Sequence, residues 1–599
     1  MFRSPIEGVE PERRDEASRL SSPRPPRIGV FICHCGHNIA GYLDVPALVE
    51  SARALPHVVC AQDSLFACSD AGLAQIQAAI AEHNLNRVVV ASCTPRTHEM
   101  LFQATCEEAG LNRYLFEFVN IRDQCSWVHM NDGERATQKA KDLIRMGVAK
   151  AALLEPLEET ELPVQPAAVV IGGGMAGMTA TLSLARRGFS VTLVEREPEL
   201  GGILRHLHKL YPTHADAQEL VERHVAEVSD HPHIEVLTSA EVREVRGYVG
   251  SYELVVHSKQ FDMDLPVRSG VIIVATGAEE LKPVGMYGYG DDPRVITQQE
   301  LEQLLAADMQ SVQSPISTVV MIQCVGARDE TRSYCGRTCC LTAMKNAMLL
   351  KERDPGTEVY VLYRDIEVYG TYFEDYYTQA REMGVIFTRY TPQDPPQVAA
   401  ADGRVIVYDE LLGARLGIPY DLLVLSTPMV PHPGARKLAQ MLKVPVDEYG
   451  FFLEAHVKLR PLDFATDGLY LCGSAHWPAH LDEAISQAYG AAARAATILS
   501  KEQIRSSGVT AHVDEYLCRA CERCAEVCEF GAIEFVALEK GGGLYSQPGQ
   551  PASRTVARVN PVLCKGCGSC AVVCPTGAMQ AFHFTSEQVT AMVQAALGG

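Results

Sequence analysis

The sequence predicts a multidomain α/β protein, and three observations support this. At residues 168–202 a hydrophobic strand runs into a glycine-rich loop and a helix, the pattern of a dinucleotide-binding unit. A second strand and helix, near 317–350, carry cysteines where such a loop would carry glycines. Near the end of the chain the spacing C-x2-C-x2-C-x3-C occurs twice. The 599 residues are enough for roughly three or four domains.

Composition limits the classes of function. The formal net charge of −21 argues against a nucleic-acid partner. The chain has no apolar run of about 18 residues, so we expect no membrane span. Residues 1–26 are polar and lack the apolar stretch of a signal peptide, so they predict a disordered tail. Most of the 20 cysteines are clustered, which without a secretion signal favours metal over disulfides and predicts a cytoplasmic protein.

The glycine-rich loop predicts a pyrophosphate site. Gly172, Gly174 and Gly177 fit G-x-G-x-x-G, which allows a tight turn and a close backbone approach to phosphate. The following helix offers its free N–H groups and positive dipole end to the same group. Glu195 ends the next strand at a spacing suited to a ribose hydroxyl, and Arg196 beside it is a further candidate contact.

Three further segments indicate which dinucleotide binds. Gly201 and Gly202 follow the acidic residue, where a Gly-Gly pair lets the chain run close under a flavin. The strand V-I-I-V-A-T-G brings in Thr276 and Gly277, and a later strand–helix unit at 468–493 contains Gly473. Together these pieces resemble a thioredoxin-reductase-like FAD domain interrupted by an insert. We therefore expect FAD, rather than NAD, at the first glycine loop.

The insert lacks the second glycine loop that would bind NAD(P)H. Its strand is followed by Q-C-V-G-A-R-D-E and then Y-C-G-R-T-C-C, which place four thiols close together: Cys324, Cys335, Cys339 and Cys340. We interpret them as ligands of an iron–sulfur cluster that replaces the nicotinamide nucleotide, with a redox disulfide pair as the alternative. Lys345 follows on a helix, where its charge could stabilise an anionic reduced flavin; a solvated helix lysine is the alternative.

The N-terminal segment alternates strands and helices, which predicts a small α/β layer. Cysteines in loops near strand ends could converge at one edge of a parallel sheet and hold a 4Fe-4S cluster; they are Cys33, Cys35, Cys68, Cys93 and Cys125. Their spacing is weak evidence, because scattered buried cysteines are common. We interpret Cys60 and Cys106 as core residues.

The C-terminal repeats match the pattern of a two-cluster ferredoxin, in which the fourth cysteine of each run binds the other cluster. One predicted cluster has the ligands Cys518, Cys521, Cys524 and Cys574. The other has Cys564, Cys567, Cys570 and Cys528. Zinc would favour paired C-x2-C units over this spacing.

The chain resembles the A subunit of heterodisulfide reductase along about 27–585. The motifs that carry the resemblance are C-H-C-G-H-N-I at 33–39, S-C-T-P-R-T-H-E at 92–99, Q-C-S-W-V-H at 124–129, the two insert motifs, and V-Y-G-T-Y-F-E-D-Y-Y at 368–377. The resemblance implies FAD and four 4Fe-4S clusters. It implies that Cys68, Cys93 and Cys125 bind the N-terminal cluster, with either Cys33 or Cys35 as fourth ligand, and that Lys345 lies near the flavin.

The resemblance also implies electron bifurcation, in which one electron of a pair goes uphill to ferredoxin and the other downhill to a disulfide-reducing partner. Implied partners are disulfide-reducing and small iron–sulfur subunits, ferredoxin, and a hydrogenase or dehydrogenase as donor, in a dimer of hetero-oligomers. Two alternatives stay open. One is a non-bifurcating wiring subunit of another reductase or quinone-interacting complex. The other is an NAD(P)H oxidoreductase like the small subunit of glutamate synthase, against which the missing second glycine loop argues.

These patterns predict the following division of the chain. After the tail come an N-terminal iron–sulfur α/β domain and a linker, an FAD domain in two parts around the insert, an α+β two-cluster ferredoxin domain and a C-terminal helix. The predicted bounds are 1–26 for the tail, 27–150 for the N-terminal domain and 151–166 for the linker. They are 167–300 for the first FAD part, 301–425 for the insert and 426–500 for the second FAD part. The ferredoxin domain is predicted at 510–585 and the C-terminal helix at 586–599.

Overall fold

The computed structural model describes residues 25–307, 316–399, 402–538 and 554–598. The predicted N-terminal tail lies almost wholly outside these residues. Two compact units form: one from residues 1–160 with 506–599, the other from residues 161–505. The first therefore combines the N-terminal layer with the cysteine-rich C-terminal segment.

The N-terminal layer is a four-stranded parallel sheet. Its strands, in spatial order, are Val58–Ser64, Ile28–Cys33, Arg87–Ser92 and Phe116–Asn120. The α-helices of this layer are His37–Ala40, Val45–Arg53, Asp70–Glu82, Pro95–Glu108 and Gly133–Ala152, and Arg122–Ser126 forms a π-helical turn. Every residue of the central strand Ile28–Cys33 is buried, as expected for a parallel sheet covered on both faces.

The C-terminal part of this unit consists of short elements. Two antiparallel strand pairs form, Ile533–Leu538 with Arg554–Val559 and Ala511–Val513 with Met579–Ala581. The short helices are Arg523–Glu526 and Ser569–Val572, and a longer helix spans Ser586–Leu597. The last helix is tied to the N-terminal layer, because Gln588 donates to the Leu153 carbonyl at 3.0 Å and Arg145 donates to the Ala595 carbonyl at 2.6 Å.

The second unit contains two five-stranded parallel sheets. The first has the order Ile234–Leu237, Ser190–Val194, Ala167–Ile171, Val271–Val274 and Leu469–Leu471. The helices Met175–Ala185, Ala217–Ser229 and Leu481–Leu499 belong to this part, as does the antiparallel sheet Ala240–Tyr248, Ser251–Ser258 and Met263–Ser269. The helix after the glycine loop is buried along its whole length, since it packs between this sheet and the helix Leu481–Leu499.

The second sheet belongs to the insert. Its order is Ile386–Arg389, Glu358–Tyr363, Thr318–Ile322, Leu422–Leu425 and Val295–Thr297. The helices here are Gln298–Ala306, Cys339–Arg353 and Phe373–Glu382, and Gln397–Ala399, Arg404–Asp409 and Ala414–Pro419 form a small antiparallel sheet. The helix Ala435–Leu442 follows the insert and packs into the core of the first sheet. The sheet takes in Val295–Thr297, ahead of the predicted boundary at 301, because this strand pairs with Leu422–Leu425.

Three strand pairs complete the unit. The pair Ala278–Glu280 with Met429–Pro431 links the first sheet to the insert on the way in and on the way out. Glu161–Pro163, inside the predicted linker, pairs with Gln503–Arg505, so this part of the linker is ordered. Lys209–Leu210 pairs with Ala215–Asp216 as a small hairpin. The result is the mixed α/β architecture that the sequence predicts.

Candidate functional site

A cavity of about 670 Å³ opens at the carboxyl edge of the first sheet of the second unit. This size lies within the usual range for cofactor sites. Its walls include most of the predicted contacts: Gly172, Gly174, Glu195, Arg196, Gly201, Gly202, Thr276 and Gly277. Residues that the motifs did not single out also line it, among them Tyr211, Gln298, Thr427 and His432.

At Gly172 and Gly177 the glycine loop has no room for a side chain. Gly172 has φ +110°, and a Cβ there would stand 2.3 Å from the Ala275 carbonyl oxygen. A Cβ on Gly177 would stand 1.8 Å from the Gly172 carbonyl oxygen, so this glycine allows the helix to pack against the strand. The helix Met175–Ala185 begins after Gly174 without a side-chain cap, and its first residues line the cavity, so the N–H groups of its first turn are available to an anion there.

Glu195 organises the far side of the loop. Its carboxylate accepts from the Gly173 N–H at 2.6 Å and from the Glu197 N–H at 2.8 Å, and the residue is buried. These bonds hold the glycine loop and the second strand end together around the cavity. Arg196 lies at the same strand end, paired with Glu197 and Glu279 at 3.0 Å each.

Two buried hydroxyls in the cavity wall support a bound polar ligand. The Oγ1 atoms of Thr276 and Thr427 are buried and have no hydrogen-bond partner among the described residues. Buried polar groups without a partner are costly, so these hydroxyls fit a ligand that would bond to them. Together with the uncapped helix end, they make the cavity suitable for FAD.

Gly473 is placed differently from the other predicted contacts. Its N–H donates to the Gln487 side chain at 3.0 Å, and Ser474, rather than Gly473, lines the cavity. Like Gly177, it shapes the wall: a Cβ at Gly473 would stand 2.8 Å from the Ala176 side chain.

The four cysteines of the insert gather at the carboxyl edge of the second sheet. Cys324 follows the strand Thr318–Ile322, and Cys339 and Cys340 begin the helix Cys339–Arg353. Cys339 also lines the flavin cavity. The buried Nη1 of Arg328 and Nε of Arg364 have no hydrogen-bond partner among the described residues. These cationic groups and the helix N-terminus suit a negatively charged cluster.

The thiols of the insert are electrostatically coupled. Burial raises the pKa of Cys324 to about 11, with Cys340 as the next cause, while Arg328 opposes the shift. A hydrogen bond to Cys340, together with burial, raises the pKa of Cys339, and the same bond lowers the pKa of Cys340. Burial also raises the pKa of Cys335. Cluster binding would therefore displace protons that the free thiols hold at neutral pH.

Lys345 is buried in an ion pair with Glu302, and both side chains are essentially inaccessible to solvent. Its ammonium also donates to the Lys209 carbonyl at 2.8 Å, and Glu302 accepts from the His208 N–H at 2.9 Å. Burial lowers the pKa of Lys345, while Glu302 opposes the shift. Lys345 is not among the residues that line the cavity; its neighbour one turn earlier, Thr342, is. Its predicted proximity to the flavin stays a prediction.

The C-terminal cysteines fall into two groups. Cys518, Cys521, Cys524 and Cys574 line one small cavity, which is the grouping that the spacing predicts. Burial raises the pKa of Cys570 to about 11, and Cys564, Cys567 and Cys528 raise it further, so these four also lie close together. Burial raises the pKa of Cys574, but backbone N–H groups, first that of Met579, lower it by more.

The N-terminal cysteines are divided by the structure. Burial raises the pKa of Cys33 to about 11, and the nearby Cys35 and Cys68 raise it further. Burial also raises the pKa of Cys68, and the nearby Cys93 and Cys35 raise it further. The charged groups that act on Cys125 are instead Lys139 and Asp142, after burial, which raises its pKa to about 11. Electrostatic interactions therefore link Cys33, Cys35, Cys68 and Cys93, and Arg122, in the same turn as Cys125, interacts with Cys35 and Cys93. The ligand set stays a prediction.

Within the described residues, no three Cys, His, Asp or Glu side chains converge on a point suited to one metal ion. The cysteines of a 4Fe-4S cluster bind separate iron atoms, so they surround a volume instead.

Comparisons with known proteins agree with this geometry. Residues 166–488 match the family model described as pyridine nucleotide-disulphide oxidoreductase, and residues 517–578 match a 4Fe-4S dicluster domain. The second iron–sulfur A subunit of CoB–CoM heterodisulfide reductase from Methanopyrus kandleri is 38% identical, over 87% of this chain and 92% of that protein.

The chain belongs to the family of heterodisulfide reductase A subunits. A second member, the A subunit of H2:CoB-CoM heterodisulfide,ferredoxin reductase from Methanothermobacter thermautotrophicus, is also 38% identical, over 86% of this chain and 91% of that one. A third, the A subunit of ferredoxin:CoB-CoM heterodisulfide reductase from Methanosarcina mazei, is 35% identical, over 85% of this chain and 75% of that one. Among solved structures, T. acidophilum thioredoxin reductase matches 56% of this chain and 98% of its own, with 15% identity and a TM-score of 0.40.

Family membership makes this protein an oxidoreductase, an iron–sulfur flavoprotein subunit that transfers electrons. The predictions of an FAD domain and of iron–sulfur clusters are confirmed. No helix in the described ranges has the length and apolar character needed to cross a bilayer.

Proposed function

We propose that this chain is the flavin subunit of a heterodisulfide-reductase-like complex, that it holds FAD and four 4Fe-4S clusters, and that electron pairs are divided at its flavin site. One observation carries the proposal: Cys339, a candidate cluster ligand of the insert, lines the flavin cavity. A cluster at this position would border the flavin where a related reductase would place a nicotinamide.

The chain offers a defined set of residues to each group. The glycine loop, Glu195, the Gly201–Gly202 turn and Thr276 would hold FAD. The insert cluster would take Cys324, Cys335, Cys339 and Cys340. The C-terminal segment would hold two clusters in the crossed grouping described above, and the N-terminal layer would hold the fourth.

The insert sets how electrons reach the flavin. Between the strand Thr318–Ile322 and the helix Cys339–Arg353 the chain has no glycine loop, and the helix begins with cysteines. Electrons therefore enter and leave through clusters. Bound FAD supplies chemistry that accepts two electrons and exchanges them one at a time. In the proposed reaction an arriving pair is divided, with one electron reducing ferredoxin and the other reducing a disulfide-reducing partner protein.

The names of the relatives support the proposed partners. Those from M. thermautotrophicus and M. mazei are subunits of reductases named for ferredoxin and the CoB–CoM heterodisulfide, and the first is also named for H2. We extend this to the present chain: it assembles with disulfide-reducing and small iron–sulfur subunits, as a dimer of hetero-oligomers, with a hydrogenase or dehydrogenase as donor.

The first experiment is the content of iron and acid-labile sulfide per FAD in anaerobically purified protein. Four clusters require ~16 iron atoms per flavin. A ratio of about 12 would mean that either the N-terminal layer or the insert has no cluster, and the iron content of Cys324→Ser would then show whether the insert holds iron. A ratio of about 8 would leave only the C-terminal pair and reject the insert cluster.

The second experiment separates bifurcation from simple electron wiring. With the purified complex and its donor, ferredoxin reduction should occur only while a disulfide acceptor is being reduced, with equal electrons in each product. Ferredoxin reduction that continues without the acceptor would favour the non-bifurcating alternative. Rapid bleaching of the flavin by NADH in the isolated chain would instead support a nicotinamide-dependent oxidoreductase.

A further inference from the structure

A hydrogen-bonded Tyr–His pair stands in the wall of the flavin cavity, away from the glycine loop. Tyr211 lines the cavity, and its hydroxyl lies 2.9 Å from Nδ1 of His480. Ala479 and Leu481, on either side of His480, also line the cavity. His480 itself is 3% exposed, so the pair places an ionisable ring directly behind the tyrosine.

The second ring nitrogen of His480 is unused by the protein. Its Nε2 is buried and has no hydrogen-bond partner among the described residues. Tyr369 packs against the same imidazole with ring centroids 4.9 Å apart, and 39% of Tyr369 is exposed to solvent. The pair thus extends from the cavity toward a residue at the surface.

The charges around the pair come from three segments. Burial lowers the pKa of His480; Asp482 and Glu483, on the helix that follows it, oppose the shift, and Arg337 from the insert adds to it. Tyr369, Asp482, Cys339 and Tyr376 act on Tyr211. The Arg337 guanidinium also lies 4.9 Å from the centre of the Tyr369 ring. The pair is therefore enclosed by groups of both signs.

We propose that Tyr211 and His480 form a proton relay to the flavin. This rests on the proposed function, in which iron–sulfur clusters deliver electrons without protons. In the relay, the Tyr211 O–H would give its proton to a bound flavin as the flavin is reduced. Neutral His480 would pass its Nδ1 proton to the Tyr211 oxygen while Nε2 takes up a proton from solvent. Each reduction by two electrons and one proton would thus consume one solvent proton and leave His480 protonated at Nε2; loss of that proton to solvent and uptake of another at Nδ1 would restore the pair.

Lys345 does not offer the same route. Its ammonium is engaged by Glu302 and by the Lys209 carbonyl, and it does not line the cavity. Tyr211, in contrast, lines the cavity, and its hydroxyl is hydrogen-bonded to His480. The Nε2 atom of His480 has no hydrogen-bond partner among the described residues.

The test uses the anaerobic full-length protein with its FAD and clusters, reduced by dithionite in a stopped-flow spectrometer. The variants are Tyr211→Phe, which removes the hydroxyl, and His480→Gln, which keeps a polar side chain that cannot be protonated at neutral pH. The matched control is Tyr376→Phe, because Tyr376 is a buried tyrosine bonded to His214 at 2.8 Å but does not line the cavity. Flavin bleaching is followed in H2O and D2O, beside the FAD content and the flavin potential.

We expect flavin bleaching to be slower in D2O for the wild-type protein. Each relay variant should bleach roughly 100-fold more slowly than wild type, with FAD content and potential unchanged, while the control stays at the wild-type rate. Wild-type rates in both relay variants would overturn the proposal. Loss of FAD from both would also overturn it, by assigning the pair a structural role. The test uses the isolated chain without partner proteins. Its result therefore does not decide whether electron pairs are divided at the flavin, which the iron content and the ferredoxin coupling test separately.

Discussion

The two parallel sheets of the second unit share most of their strand order but differ in what their loops carry. In each, a central strand has the next two strands on one side and, on the other, a strand that follows a small antiparallel sheet; the fifth strand comes last in the chain in the flavin sheet but first, as Val295–Thr297, in the insert. The central strand of the flavin sheet leads into glycines and a helix, whereas that of the insert leads into Cys324 and a helix that begins with Cys339. The same framework thus presents backbone N–H groups in one case and thiols in the other.

Helix starts show how each sheet is adapted. The helices that begin after Gly174 and Thr338 face candidate cofactor sites, and neither has a side-chain cap. The helix Gln298–Ala306 has a full capping box, formed by Thr297 and Glu300. A side-chain cap would occupy N–H groups that an anionic cofactor needs, so the two uncapped ends leave these groups available to one.

The largest expected effect tests the thiol side of this comparison. Cys324→Ser should remove about four iron atoms per flavin while FAD remains bound, because the two groups use different sheets. Cys106→Ser is the matched control, since Cys106 is fully buried in the N-terminal core with Val and Phe neighbours. Measured iron and flavin contents that are equal in both variants would contradict a cluster in the insert.

The next effect concerns the buried ion pair between Lys345 and Glu302, which lie on two helices of the insert. Glu302→Gln leaves the buried ammonium of Lys345 without its counter-charge, which should lower the free energy of unfolding by about 3–5 kcal/mol. Arg415→Gln, which breaks a half-exposed pair with Asp394, should change it by less than about 1 kcal/mol. Urea unfolding followed by circular dichroism would compare the two. Equal midpoints would mean that the buried pair is not needed for stability.

The third prediction tests the glycine loop of the flavin sheet, at Gly177. Ala at this position would bring its Cβ to 1.8 Å from the Gly172 carbonyl oxygen, so the loop must move. We expect a loss of about 1–3 kcal/mol and a lower temperature of flavin release, read from flavin fluorescence on heating. At Gly490 the nearest atom is the end of the flexible Leu462 side chain, so Gly490→Ala should release flavin close to the wild-type temperature.

The smallest effect concerns the capped helix. Thr297→Ala removes two bonds of one hydroxyl, the cap bond from the Glu300 N–H and the bond that the hydroxyl donates to Glu280 at 2.7 Å, and should cost about 1–2 kcal/mol. Thr338→Ala removes no cap bond, so the free energy of unfolding should fall by less. A larger loss at Thr338 than at Thr297, measured in the same urea series, would contradict the distinction between capped and cofactor-facing helix ends.

The parts of the site that depend on short spacings could be predicted from the sequence. The glycine loop, the Glu195 strand end and the crossed C-terminal cysteines are local patterns, and the structure brings each set together. Contacts between distant segments could not be read in this way. Glu302 as the partner of Lys345, Gln487 as the partner of Gly473 and the Tyr211–His480 pair all depend on how separate elements pack. The local spacing also gives no indication that Lys139 and Asp142 are the charged groups that act on the pKa of Cys125.

The paired strands Ala278–Glu280 and Met429–Pro431 have a consequence for the architecture as a whole. The chain enters and leaves the insert through two adjacent strands, and all five strands of the flavin sheet lie outside the insert. Replacement of the insert would therefore change the group proposed to lie beside the flavin without breaking a strand of the flavin sheet. The chain is therefore modular at this point, because the segment between these two strands could be replaced as one piece.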